Sequence, residues 1–160
     1  MTEMGHGRLT EEERREIAAE IAGSEYPRAA ASDALKIVQR HRGWVGGEIV
    51  EVAAMLGMAP AELESVATWY SLIFREPVGR HVILICDSVS CWITGYRALL
   101  DHLTGRLGIG LGGTTADARF TLLPVACLGA CEQAPAMMVD EDLHGDLTPE
   151  KIDAILEQYP

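Results

Sequence analysis

The sequence predicts a two-part protein of the α/β class, in which a small helical bundle precedes a domain of mixed strands and helices. Apolar residues follow a helical period up to about residue 70, and from residue 81 they form short runs rich in β-branched side chains. Residues 71–80 contain Pro77 and Gly79 and keep no period, which indicates a linker. We therefore place a helical domain and linker at residues 1–80 and a second domain at residues 81–160.

Composition is typical of a globular protein and excludes several classes. The chain has 160 residues, of which 48% are hydrophobic, enough for one good core or two small ones. Its formal net charge of −11 would repel a phosphate backbone, so nucleic acid is not an expected partner. The longest apolar runs fall far short of the roughly 20 residues that span a bilayer, so we expect no direct membrane insertion. The polar, acid-rich start resembles neither a secretion signal nor a transit peptide, which favours the cytoplasm.

Four helices are predicted in the first part. Thr10 with Glu13 forms a capping box that opens the first, and Ser32 and Pro60 open the second and fourth. Gly43 and Gly57 end the second and third. The inward-facing residues share a helical period: Ile17, Ala18 and Ile21; Leu35, Ile37 and Val38; Ile49, Val52, Ala53 and Leu56; Leu63, Val66, Ala67 and Tyr70.

The second part predicts the order strand, helix, strand, hairpin, helix. The predicted strands cover residues 81–85, 120–126, 136–139 and 143–146, the last two joined across Glu141 and Asp142. One helix follows Cys91, and Thr148 opens a final helix. The apolar positions assigned to these two helices are Ile93, Tyr96, Leu99, Leu100, Leu103, Leu107, Ile152, Ile155, Leu156 and Tyr159.

All four cysteines lie in the second part, as Cys86-Asp-Ser-Val-Ser-Cys91 and Cys127-Leu-Gly-Ala-Cys131. Because cytoplasmic thiols are kept reduced, two close pairs indicate metal ligands or redox groups before structural disulfides. A structural zinc usually uses shorter Cys-x2-Cys intervals, and so does a thioredoxin-type dithiol. A binuclear iron–sulfur cluster needs two thiolates at each iron, which two pairs supply. The alternative without a bound metal is four buried cysteines that have no shared function.

Several other residues could be taken for functional groups, but we expect them to be solvated or packed side chains. The histidines show no pairing with one another: they are His6, His41, His81, His102 and His144. We expect Trp92 to exclude water from the neighbouring sulfur, and Asp87 and Glu132 to be solvated. Residues 108–113 are rich in glycine but lack the lysine of a phosphate-binding loop.

Several motifs together carry a family resemblance that covers nearly the whole chain. They are the two cysteine motifs with Trp92 and Ala134-Pro135, the run from Thr114 to Leu122, Asp146-Leu-Thr-Pro-Glu150, Gly43-Trp44, and Val66-Ala-Thr-Trp-Tyr70. With these, the chain resembles the E subunit of bacterial NADH:quinone oxidoreductase, respiratory complex I. This is a family of thioredoxin-like 2Fe–2S ferredoxins behind a helical N-terminal domain. Two positions depart from the family, which commonly has Gly at Ala118 and Phe at Trp69.

The resemblance implies one 2Fe–2S cluster, with Cys86 and Cys91 on one iron and Cys127 and Cys131 on the other. It implies a flavin-bearing F subunit as partner, which would hold FMN and NADH, together with the rest of the peripheral arm at the inner membrane. We expect the N-terminal helices to supply much of that contact and the isolated chain to show no turnover. The alternatives are the equivalent subunit of an NAD-dependent formate dehydrogenase or NAD-reducing hydrogenase, and a zinc-stabilised interaction module.

Overall fold

The computed structural model describes residues 7–160, so His6 lies outside the described residues. Contacts divide the chain into two compact units, Met1–Pro77 and Val78–Pro160. The described part of the first unit is helical, and the second contains a four-stranded sheet. The predicted fold class is therefore confirmed, whereas the division into independently folding domains stays a prediction. Within residues 7–160 no helix is both long and apolar enough to cross a membrane.

From Gly7 onward, the first unit contains four α-helices and one short 3-10 helix. Their bounds are α1 Glu11–Gly23, the 3-10 helix Pro27–Ala30, α2 Ala31–Arg42, α3 Ile49–Leu56 and α4 Pro60–Trp69. One core joins them, and its fully buried side chains come from all four α-helices: Ile17, Leu35, Val38, Val52, Leu56 and Leu63. Helices this short are stable mainly through such shared burial.

The predicted helix ends are largely confirmed. Thr10 accepts a hydrogen bond from the backbone of Glu13, whose carboxylate accepts one from the backbone of Thr10. Gly43 and Gly57 end α2 and α3 in the left-handed conformation, with φ of 83° and 65°.

Three details of the helical prediction are wrong. Helix α2 begins at Ala31, so Ser32 lies inside it, and the 3-10 helix before it was not predicted. Ala18 is exposed on α1. Tyr70 follows the last residue of α4 and is 45% exposed. A helical period does not decide which of its small or terminal members reach the core, because that depends on where the neighbouring helices lie.

The second unit has four strands and three α-helices. Their bounds are β1 His81–Cys86, α5 Val89–Thr94, α6 Tyr96–Leu107, β2 Phe120–Val125, β3 Met137–Val139, β4 Asp142–His144 and α7 Pro149–Leu156. The sheet order is β2-β1-β3-β4, with β1 and β2 parallel and the other pairs antiparallel. Pro124 lies in the edge strand β2, where a missing N–H is tolerated.

One face of this sheet packs against α6 and α7. The core there contains Ile83, Ile85, Leu122, Met137 and Val139 from the strands, and Leu99, Leu103, Ile152, Ile155 and Leu156 from the helices. Side chains alternate along a strand, so Cys86 points away from the face on which Ile85 lies.

Two predictions for this unit need correction. Where one helix was predicted after Cys91 there are two, α5 and α6, separated at Gly95, whose φ is 126°. Ile93 on α5 is 78% exposed. The hairpin turns at Asp140, whose φ is 54°, rather than across Glu141 and Asp142. Strand β4 therefore begins at Asp142, and it ends at His144, before Gly145.

Candidate metal centre

The sheet topology brings both cysteine pairs to one end of the second unit, where β1 and β2 finish. Cys86 is the last residue of β1 and is aligned with Val125, the last residue of the parallel strand β2. The second pair begins two residues later, at Cys127. The antiparallel strand β3 starts at the same edge, where the N–H of Cys86 donates to the carbonyl of Ala136 at 3.2 Å. The segment that carries Cys127 and Cys131 therefore connects two strand ends that flank Cys86.

The first pair is buried and the second is exposed. Cys86 and Cys91 are 3% and 2% exposed, and they form a small apolar cluster with Ala130 and Ala136. Cys91 lies inside α5, whereas the sequence predicted that it lies in a loop before the helix. Cys127 and Cys131 are exposed, and all four thiols are free. A group bound here would have one side in the protein and the other near the surface.

Local hydrogen bonds favour the thiolate form at Cys127. The backbone N–H of Gly129 donates to its Sγ at 3.3 Å, and this bond lowers the pKa of the Cys127 thiol, aided by Ser88 and by the thiols of Cys131 and Cys86. Cys91 behaves in the opposite way. Burial raises the pKa of its thiol, and the neighbouring Cys86 adds to the effect. Ala130, which lies between Cys127 and Cys131, packs in one cluster with Cys86 and Cys91, so the two pairs lie beside one another.

The backbone around Cys131 is held by a close approach that the sequence did not reveal. Gly145 lies so near Gln133 that a Cβ at residue 145 would come within 2.4 Å of the Gln133 Cβ. The N–H of Asp146 donates to the Gln133 carbonyl at 2.6 Å, and the N–H of Leu147 donates to the Pro135 carbonyl at 3.1 Å. A glycine between a strand pattern and a helix cap was the available signal.

The donor set fits a binuclear iron–sulfur cluster. Four reduced thiols at one edge, grouped two and two, are the ligands that two irons need. In the described residues, no group of three or more His, Cys, Asp or Glu side chains is arranged to hold a single metal ion. A 2Fe–2S cluster does not require such a group, because each of its two irons is bound by only two protein thiolates.

The other residues considered in the sequence analysis are not part of the four-cysteine site. Asp87 and Glu132 are exposed, as expected for solvated acids. Trp92 is 52% exposed, with the Arg97 guanidinium 5.2 Å from its ring centroid. The side chains of the four described histidines form hydrogen bonds with four different side chains: His41 with Glu16, His81 with Asp140, His102 with Asp153, and His144 with Tyr159.

The two positions that depart from the family pattern are both exposed. Ala118 has a positive φ of 53°, a conformation that glycine adopts without strain. Trp69 is 84% exposed at the end of α4.

Comparison with known proteins covers both units. The family model "Thioredoxin-like [2Fe-2S] ferredoxin" matches residues 17–160. The chain is 53% identical over 152 residues to the E subunit of NADH-quinone oxidoreductase from Pseudomonas aeruginosa, an alignment that covers 94% of this chain and 92% of that protein. The protein of the same name from Escherichia coli is also 53% identical, with the same shares covered. Among solved structures, an NAD+-reducing [NiFe]-hydrogenase in the air-oxidized state aligns with a TM-score of 0.66 at 28% identity. That alignment covers 83% of this chain but only 22% of the hydrogenase chain.

Proposed function

The chain belongs to the thioredoxin-like [2Fe-2S] ferredoxin family, together with the E subunits of NADH-quinone oxidoreductase, and we propose that it carries electrons through one 2Fe–2S cluster. Its relatives are subunits of an oxidoreductase complex, and the chain is a subunit of that kind. In this role the cluster exchanges an electron with the flavin of a partner subunit.

One observation carries the proposal. The ends of β1 and β2, together with the start of β3, bring two pairs of reduced thiols to the same edge of a sheet. We assign Cys86 and Cys91 to one iron and Cys127 and Cys131 to the other. When bound, such a cluster takes up and releases one electron. The protein supplies the thiolates, buries the first pair from water, and donates the Gly129 N–H toward the second.

The proposed partner is the flavin-bearing F subunit, which would hold FMN and NADH, within the peripheral arm at the membrane. The names of the relatives support a multi-subunit complex. The helical unit supports it as well, because Trp69 is 84% exposed and borders a surface groove of about 490 Å³ with Val66 and Tyr70. Exposed aromatic side chains are enriched where proteins bind one another.

A second candidate is the equivalent subunit of an NAD-reducing hydrogenase, which the structural similarity favours. The higher identity to the NADH-quinone oxidoreductase subunits supports the first candidate. Affinity purification of the tagged chain from its own organism separates the two, because the first predicts quinone oxidoreductase subunits and the second predicts hydrogenase subunits.

Metal analysis tests the proposed function directly. Anaerobic purification from iron-replete cells should yield a brown protein with about two irons and two acid-labile sulfides per chain. Replacing any one of the four cysteines by Ser should make the cluster labile. Stoichiometric zinc instead of iron would support the zinc-stabilised interaction module, and full iron retention in all four variants would show that other residues hold the metal.

A further inference from the structure

A short connection between β4 and α7 supports the backbone that follows the second cysteine pair. It comprises residues 145–147, which we call the 145–147 strap. The N–H of Asp146 donates to the Gln133 carbonyl at 2.6 Å, and the N–H of Leu147 donates to the Pro135 carbonyl at 3.1 Å. Two backbone hydrogen bonds therefore tie the strap to the segment between the second cysteine pair and β3.

The strap is itself anchored in the second unit. The Leu147 side chain is buried in the core between the sheet and its helices. From α7, Nζ of Lys151 donates to the Asp146 carbonyl at 2.8 Å. Gly145 approaches Gln133 so closely that a Cβ at residue 145 would meet both the Cβ and the carbonyl oxygen of Gln133 within 3 Å. Only a residue without a side chain permits this approach.

The supported segment also contacts the first cysteine pair. Ala136 is 2% exposed, and its carbonyl accepts the N–H of Cys86 at 3.2 Å. The backbone of Ala136 interacts with the sulfur of Cys91 as well. Residues 131–136 are thus joined to the strap through residues 133 and 135, and to the first cysteine pair through residue 136.

We infer that the 145–147 strap is a positioning element, which fixes where Cys131 lies relative to Cys86 and Cys91. This inference rests on the proposed function and adds how the exposed thiol pair is held. The two irons of one cluster keep a fixed spacing, so the two thiol pairs must keep one too. Because Cys131 is exposed, its own burial does not hold it in place. Backbone hydrogen bonds from an anchored neighbour supply the support that orients such a ligand.

Iron release to excess chelator tests the inference, together with the electron paramagnetic resonance spectrum of the reduced protein. Gly145→Ala should displace the backbone at Gln133 and weaken the strap hydrogen bonds. We expect it to accelerate iron release about tenfold and to shift or broaden the spectrum. Gly105→Ala is the matched control, because a Cβ at that position in α6 would meet nothing within 4 Å. It should leave both the release rate and the spectrum unchanged.

Further variants separate positioning from general stability. Leu103→Ala removes a fully buried side chain from α6 and leaves both strap hydrogen bonds in place, so it should lower the denaturation midpoint without altering the spectrum. Lys151→Met removes the bond to the Asp146 carbonyl at an exposed position, and iron release should rise about twofold. Lys36→Met makes the same change of charge on α2 of the helical unit and should have no effect.

The outcomes separate this inference from the proposed function. Wild-type release rates and spectra in both G145A and K151M would overturn the positioning role and leave the proposed function standing. Equal spectral changes in G145A and L103A would overturn it too, because loss of stability alone would then be the cause. If G145A does not fold, an unchanged release rate in K151M is sufficient to overturn it. Absence of iron and sulfide from the wild-type protein would overturn the proposed function itself.

Discussion

Gly129 donates its backbone N–H to the Sγ of Cys127 at 3.3 Å, from a turn in which its φ is 77°. This left-handed conformation directs the amide back toward the sulfur two residues earlier. A hydrogen bond to sulfur stabilises negative charge there. The bond therefore favours the thiolate in the free chain and, in the loaded protein, the more negative reduced state.

Gly129→Ala should lower the reduction potential by roughly tens of millivolts. A Cβ would meet nothing within 4 Å, so the substitution acts by straining the turn and weakening this hydrogen bond. A hydrogen bond to a charged group contributes about 1.5–3 kcal/mol to stability. For transfer of one electron, a tenfold change in the equilibrium constant corresponds to about 59 mV of reduction potential. Gly112→Ala is the matched control, because Gly112 has a φ of 80° and equally open space but lies before β2. Equal potentials in G129A and the wild type would contradict this role.

Ala118→Gly should stabilise the protein by about 1 kcal/mol. Ala118 has a φ of 53°, which costs an L-residue roughly 1–2 kcal/mol, partly offset by the greater flexibility of Gly when unfolded. Its side chain is exposed, so no packing is lost. Chemical denaturation at pH 7 measures the effect. Ala116→Gly, in the same exposed loop without a positive φ, should give no gain, and equal gains in both variants would show that strain at residue 118 is not the cause.

A buried charge cluster in the helical unit connects α1 to α2. The Arg42 guanidinium donates to both carboxylate oxygens of Glu13, at 2.6 and 2.7 Å, and to Glu48 at 2.5 Å. Both acids are buried, at 1% and 2% exposed. Although burial raises it, the hydrogen bonds from Arg42 and Thr10 bring the pKa of Glu13 down to about 2 from its ordinary value of 4.5.

This depressed pKa predicts how stability depends on pH. The Glu13 contribution is fully present above pH 4.5 and is lost as the pH falls toward 2. The shift corresponds to roughly 3 kcal/mol, so Glu13→Gln should cost about that much at pH 7. Urea unfolding followed by circular dichroism should show a difference between wild type and E13Q that shrinks below pH 4.5. Glu11→Gln, at a side chain that is 90% exposed, should change stability by no more than about 0.5 kcal/mol. An E13Q difference that persists unchanged at low pH would contradict the argument.

Sequence patterns were sufficient where neighbours along the chain decide the structure. The capping box at Thr10, the helix-ending Gly43 and the strand before Cys86 all depend on local spacing, and each is confirmed. The meeting of both cysteine pairs follows from strand order, because parallel strands end at the same edge of a sheet.

The missed features depend on residues distant in sequence. The burial of Glu13 requires Arg42 from another helix, and local spacing identified only its role in the cap. Ile93 continues a helical period that Gly95 interrupts, so periodicity assigned it to the core although it is exposed. The need for glycine at residue 145 arises from the approach of Gln133, which follows from the fold.

Deleting residues 1–70 should abolish co-purification with the F subunit while the remaining chain keeps its cluster. All four cysteines and the second hydrophobic core lie beyond this segment, whereas the exposed Trp69 lies within it. Iron and sulfide analysis of the truncated chain tests retention, and tagged full-length chain is the control for assembly. Unchanged assembly after the deletion would show that the helical unit is not needed for contact. Loss of the cluster would show that residues 71–160 do not fold alone.

The proposed cluster should have a low reduction potential. Two ferric ions, two sulfides and four thiolates carry a formal charge of about −2, and reduction makes it about −3, so nearby acids oppose the added electron. Asp87 and Glu132 lie next to ligands, and both are exposed. The proposed ligands include no histidine, the feature that raises the potential of Rieske centres, and plant-type centres with four thiolates lie near roughly −400 mV.

A redox titration followed by electron paramagnetic resonance measures this potential. D87N and E132Q should each raise it slightly, and the rise should shrink at high salt because exposed charges are screened beyond about 10 Å at 0.1 M. Glu157→Gln is the matched control, since Glu157 is an exposed acid that follows α7. A potential well above that of the NADH couple would show that backbone N–H groups near the sulfurs, such as that of Gly129, outweigh the surrounding acids. Coupling to histidine nitrogen in the reduced spectrum would overturn the assignment of four thiolate ligands.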